Sequence, residues 1–154
     1  VSYDVNARPS ITGTGPEVVA AVERMAALCD LVKCSDEDLD ALYPDRDNAA
    51  AARHLLGLGP TVVVVTAGGE GARWFTATDE GGVASVVVEV ADTIGAGDTF
   101  GAATVDALWE RGVLGGRLPE LAAEDWNAVL AYAARVASVT VSRPGADPPY
   151  RHEL

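Results

Sequence analysis

The chain has 154 residues, of which 49% are hydrophobic and 22% charged, the composition of a water-soluble globular domain able to bury roughly 70% of its unfolded surface. Its net charge of −12 excludes a broad nucleic-acid surface, which needs clustered lysine and arginine, and its longest apolar run falls far short of the ~20 residues of a membrane span. Two cysteines, Cys29 and Cys34, are too few for a disulfide framework and make no zinc spacing with His54 and His152, so they read as reduced core residues of a cytoplasmic protein.

No initiator Met and no charged-then-apolar leader precede the first element, so the chain reads as a fragment entered directly at a strand. Val1-Ser2-Tyr3-Asp4-Val5 alternates like a strand end, and Asn6-Ala7-Arg8-Pro9 reads as a loop. Thr14-Gly15-Pro16 opens a helix with Pro16 near its first position, and Val18, Val19, Val22, Met25 and Ala26 form the apolar face. Leu31-Val32-Lys33-Cys34 is a short strand. Ser35 follows as an N-cap with Asp38 three residues on, a weak capping box, and a short helix ends at Leu42 before Pro44. An alanine-rich helix runs from Asn48 to Leu58 until Gly59-Pro60 breaks it. Thr61 to Thr66 holds four consecutive valines, the pattern of a strand buried on both faces. Gly68-Gly69-Glu70-Gly71 is a turn, and Ala72 to Phe75 returns as a hairpin strand. A second turn at Asp79 to Gly82 leads into a further strand, Val83 to Val90. A helical pattern covers Phe100 through Trp109, and a last long helix runs from Asp125 to about Val139, before a turn-rich tail at Arg143 to Pro149. Trp74, Trp109 and Trp126 are expected in the core or between helices, Arg73 and Arg111 at the surface. Strands separated by helices predict an α/β fold with a mainly parallel sheet, whose ligands bind beyond the carboxyl ends of the strands. Asp4 to Arg8, Lys33 to Ser35, Thr66 to Gly71 and Asp92 to Asp98 each follow a strand and should converge on one edge.

The most informative stretch is residues 92–101, Asp-Thr-Ile-Gly-Ala-Gly-Asp-Thr-Phe-Gly. A glycine turn at the mouth of a helix leaves N–H groups unpaired and adds the positive end of the helix dipole, which suits a phosphate. Asp98 lies inside that anion trap. A carboxylate there repels a phosphate unless it has a task such as taking a proton from an attacking hydroxyl, so the pair points to phosphoryl transfer onto an alcohol. The plain alternative is a tight turn with Asp98 as a dipole partner. Phe100 stands where the third glycine of a dinucleotide fingerprint belongs, and no Walker loop is present.

Asp92-Thr93-Ile94-Gly95-Ala96-Gly97-Asp98-Thr99-Phe100 resembles the signature of the ribokinase-like (phosphofructokinase-B-type) carbohydrate kinases. Asp4-Val5-Asn6-Ala7-Arg8-Pro9 is similar to a loop of the fructokinase-like branch, Lys33-Cys34-Ser35-Asp36-Glu37-Asp38 to its Lys-x-Ser-x-x-Glu element, and Thr66-Ala67-Gly68-Gly69-Glu70-Gly71 to its nucleotide loop. Arg143-Pro144-Gly145-Ala146 is similar to its closing turn. The resemblance implies a three-layer ribokinase-like fold in which residues 1–154 are the carboxyl-terminal, nucleotide-binding and catalytic part, without the lid and most of the sugar pocket. It implies an ATP- and magnesium-dependent kinase acting on a primary hydroxyl of a small sugar, fructose first. Ribose, 2-keto-3-deoxygluconate or a nucleoside is the alternative within the family, and a non-catalytic nucleotide-binding regulatory module the alternative outside it. Asp98 becomes the general base, with Gly95, Ala96 and Gly97 donating to the γ-phosphoryl charge. Thr66, Gly68, Gly71, Ser35 and Lys33 fall on the nucleotide side, and Asp4, Asn6 and Arg8 on the sugar side. Asp38 takes the place of a magnesium-linked Glu, one methylene shorter. Asp92, the Ile94 carbonyl and Gly145 match a monovalent-cation site, which suggests potassium. No nucleic-acid or membrane partner is implied, and a homodimer of the full-length protein is.

Overall fold

The structure, a computed structural model, describes residues 1–154. The chain forms two compact units. The first comprises Val1–Ala67, Arg73–Gly81 and Arg117–Glu120, and is built on a five-stranded sheet of order β1-β2-β3-β4-β5. Its strands are β1 (Ser2–Asp4), β2 (Leu31–Ser35), β3 (Val62–Thr66), β4 (Ala72–Phe75) and β5 (Glu80–Val83). β1 pairs with β2 and β2 with β3, both in parallel, with Asp4 opposite Lys33 and Ser35 opposite Thr66. The crossovers carry α1 (Pro9–Thr12), α2 (Pro16–Ala26), α3 (Asp36–Leu42) and α4 (Asn48–Leu56).

Alternation along the strands explains the core. Val32, Cys34, Val63 and Val65 join Val22, Ala26, Leu39, Leu42, Ala51, Leu55 and Phe75 in one apolar cluster, while Val62 and Val64 are buried on the opposite face. The four valines are thus covered on both sides, as their run predicts. α2 starts with Pro16 inside its first turn, where a missing N–H costs nothing. α3 starts at a complete capping box. The Asp38 N–H donates to Ser35 Oγ at 3.0 Å, and the Ser35 N–H returns a bond to Asp38 Oδ2 at 2.8 Å.

The second unit comprises Gly68–Ala72, Gly82–Gly116 and Leu121–Leu154, and contains α5 (Ala96–Glu110) packed on α6 (Ala123–Val141). Phe100, Ala103, Ala107 and Leu108 of α5 are buried, as are Trp126, Val129, Leu130 and Ala133 of α6. Small residues on both helices let the backbones approach. Near the start of α5 the interface is polar, where the Thr140 hydroxyl donates to the Thr99 hydroxyl at 3.0 Å, both buried.

Several expectations differ from the structure. The strand expected from Val83 to Val90 does not form: β5 lies on Glu80–Val83, where a turn is expected, and residues 84–90 are irregular with Val87 fully in solvent. β-Branched residues favour a pleated surface only where a neighbouring strand takes their N–H and C=O groups, and none lies beside this run. Pro9–Thr12 is a single helical turn where a loop is expected, with the Ile11 and Thr12 amides both donating to the Arg8 carbonyl. Met25 and Trp109 are exposed, not packed. Trp109 lies two residues beyond Ala107 on α5, about 200° round the helix, which puts it on the side opposite the buried Ala103–Ala107 stripe.

Candidate active site

The carboxyl ends of β1, β2 and β3 stop at one edge of the sheet because the strands are parallel and in register. This sets Asp4, Lys33, Ser35 and Thr66 side by side, where open parallel sheets bind their ligands. Lys33 is buried, with its Nζ 2.8 Å from Asp4 Oδ2. Two groups assigned separately to the nucleotide and to the sugar are therefore bonded to each other. The Thr66 hydroxyl donates to the Cys34 carbonyl at 3.4 Å, so it closes the strand end while leaving its lone pairs open. Asn6 and Arg8 lie on the loop beyond β1, both exposed.

Asp38 does not present an open carboxylate. It is 7% exposed, and its two oxygens accept the Ser35 N–H and the Ala7 N–H, each at 2.8 Å. Magnesium wants oxygen ligands in near-ideal octahedral array. At 7% exposure Asp38 has no room beside it for the several waters that magnesium usually keeps, and nowhere in the chain do three His, Cys, Asp or Glu side chains gather as a metal centre.

In the second unit the glycine turn has the geometry its sequence implies. Gly95 caps α5 at φ 78°, a conformation that L side chains rarely adopt, and a Cβ there would sit 2.9 Å from the Ala146 Cβ. The Ala96 N–H bends back to the Thr93 carbonyl at 3.3 Å, and the Thr99 N–H makes the first full helical bond, to Gly95 at 2.9 Å. The Gly97 and Asp98 amides fall between these two and have no acceptor in the chain, as expected of a helix's first turn. The set of outward donors therefore differs by one from the expected set. Ala96 is partly engaged, and the amide of Asp98 itself is available. That swap has no signature in the sequence, because it depends on how far the turn winds before the helix begins. The Asp98 side chain is exposed, has no partner in the chain, and lines an open hollow of about 400 Å³ bordered also by Ala102, Asp106, Tyr132 and Pro149.

Asp92, Ile94 and Gly145 come together as the motif implies. Asp92 Oδ1 accepts the Ile94 N–H and Oδ2 the Gly145 N–H, both at 3.0 Å. These bonds favour the charged form and hold the Asp92 carboxyl below its ordinary value, the Ile94 bond most. Each oxygen keeps a second lone pair, and such hard oxygen donors suit an alkali cation. In the 68–72 segment, Gly68 and Gly71 both have positive φ, and a Cβ on Gly71 would overlap the Val83 carbonyl at 2.1 Å. Gly71 is thus demanded by the turn whether or not a nucleotide binds.

Comparison with known proteins bears on this arrangement. The family described as "pfkB family carbohydrate kinase" matches residues 4–153. A fructokinase of Rhizobium leguminosarum bv. trifolii is 44% identical over 108 residues, covering 70% of this chain and 33% of that protein. Among solved structures, a fructokinase from Xylella fastidiosa with bound ATP superposes with a TM-score of 0.79 at 26% identity, over 95% of this chain and 47% of the other. A double-mutant fructokinase from Vibrio cholerae, bound to fructose, ADP and a potassium ion, gives a TM-score of 0.77 at 25% identity, over 95% and 45%. The chain thus spans between a third and a half of the length of these relatives.

Proposed function

The chain belongs to the pfkB family of carbohydrate kinases, and on that premise we propose that it supplies the nucleotide side and the catalytic base of an ATP-dependent kinase for a primary hydroxyl of a small sugar, with fructose as first choice. The observation that carries the reading is the pairing, on one helical turn, of an exposed, unpartnered Asp98 carboxylate with outward N–H donors at Gly97 and Asp98. The sugar hydroxyl oxygen attacks the γ-phosphorus in line. Its proton passes to Asp98, and the bond from the γ-phosphorus to the bridging oxygen breaks to release ADP. The amides of Gly95, Gly97 and Asp98 face the charge that develops on the equatorial oxygens. Donors fixed in advance cost no reorganisation during reaction, and positioning with charge stabilisation is most of what this chemistry requires.

Thr66 and the adjacent Ser35, and separately Gly68 and Gly71, are proposed to contact the nucleotide, and Asn6 and Arg8 to face the sugar. Asp4 and Lys33 support that edge through their ion pair. Magnesium carried by the nucleotide would neutralise phosphate charge, and no step is assigned to it through Asp38. Asp92, the Ile94 carbonyl and Gly145 are proposed to take a potassium ion, in keeping with the potassium-bound fructokinase above. Fructose is preferred because a fructokinase shares 44% identity, while an aminoimidazole riboside kinase of Salmonella typhimurium at 34% keeps a nucleoside-like acceptor as the second reading. The test is ADP release by the full-length protein with fructose, ribose, 2-keto-3-deoxygluconate or a nucleoside as acceptor. Fructose should give the highest kcat/KM and a phosphorylated product. ADP release that no acceptor stimulates would defeat the proposal.

A further inference from the structure

The loop leaving β1 is fastened on both sides of a left-handed residue. Asn6 has φ 44° and is the chain's one non-glycine residue in that region. Asn adopts it more readily than other side chains do, and the bonds on either side hold it there. Before Asn6, the Val5 N–H donates to the Lys33 carbonyl at 2.9 Å, and Asp4 is tied to Lys33. After it, the Ala7 N–H donates to Asp38 Oδ1 at 2.8 Å. The other oxygen of the same carboxylate closes the capping box of α3. One buried side chain therefore holds two backbone segments, its own helix start and a loop 31 residues away in sequence.

We propose that Asp38 is a positioning residue whose carboxylate latches the β1 exit loop and so fixes where Asn6 and Arg8 stand, in place of holding magnesium. The part concerning substrate rests on the reading of Asn6 and Arg8 as sugar-side residues. The latch itself does not. The length of the side chain is central to it. Glu satisfies a capping box as well as Asp does, but carries its carboxylate one methylene further and cannot serve both amides from the same place. A magnesium ligand would gain or hold its function with the longer arm. A latch would lose it.

The experiment combines amide hydrogen exchange on the ligand-free full-length protein with steady-state kinetics of its Asp38→Glu and Asp38→Asn variants. A hydrogen bond to a charged group is strong enough that its loss should speed Ala7 amide exchange by about tenfold or more. Asp38→Glu should do this while the Ser35 amide stays protected, which shows that the fold and the cap are intact. Ser35→Ala, which removes only the hydroxyl side of the capping box, should leave Ala7 exchange unchanged. In kinetics the Asp38 variants should raise the fructose KM several-fold, with the ATP KM and the magnesium requirement unchanged. Ala7 exchange within twofold of the parent in both Asp38 variants overturns the latch. So does a shifted magnesium requirement at constant fructose KM. If the full-length protein phosphorylates no acceptor, the kinase reading falls by itself, and the exchange measurement alone decides the latch.

Discussion

At the scale of single residues, the chemistry is assigned to one carboxylate and the backbone around it. Asp98→Asn keeps the size of the side chain and removes its basicity. It should lower kcat by roughly 10²–10⁴, the usual contribution of a positioned general base, with the ATP KM nearly unchanged. Turnover within threefold of the parent would take the base away from Asp98. Gly95→Val places a branched side chain at φ 78° and against Ala146, so it should distort the turn and weaken ATP binding as well as rate, read by calorimetric titration. Asp92 governs a pH dependence. Its folded value lies below the ordinary 3.8, so the stability it contributes is fully present above about pH 3.8 and is lost as pH falls through the lowered folded value. The protection factor of the Gly145 amide, its exchange rate corrected for the intrinsic pH dependence, should stay constant from pH 6 down to about pH 4 and fall only below it. A fall already at pH 5 would mean that another group controls the contact.

At the scale of elements, the pairing of α5 with α6 sets where the glycine turn points. Leu130 is fully buried in that interface, and Leu130→Ala should cost about 2–5 kcal/mol in urea unfolding, by lost burial and a residual cavity. A loss under 1 kcal/mol would show that the helices close over the gap. Much of this level is legible in sequence. The valine run of β3, the proline start of α2 and the Ser35 cap follow from periodicity and capping chemistry, and the glycine turn falls where its residues predict. The strand expected to Val90 is not formed, because β-propensity reports a fit to neighbours and this run has none. The second partner of Asp38 is invisible for a related reason. A capping pattern lies within four residues, whereas the Ala7 amide is brought in by strand register from 31 positions away. Lys33 likewise reads as a ligand group in sequence and only the sheet shows it spent on Asp4.

At the scale of the whole molecule, the net charge of −12 opposes an anionic nucleotide at long range, while the proposed contacts are local amides. Affinity for metal-free ATP should therefore hold or rise as salt goes from low ionic strength to about 0.15 M, where the Debye length shortens to about 8 Å. A steep fall with salt would reveal a cationic subsite that this reading lacks. No helix is long and apolar enough to cross a membrane. β1 runs directly into the Asn6 loop, and its residues Ser2 to Asp4 pair with Leu31 to Lys33 of β2. The loop therefore takes its footing from that short ladder, so a substitution that loosened the ladder would displace the proposed sugar side without touching a sugar.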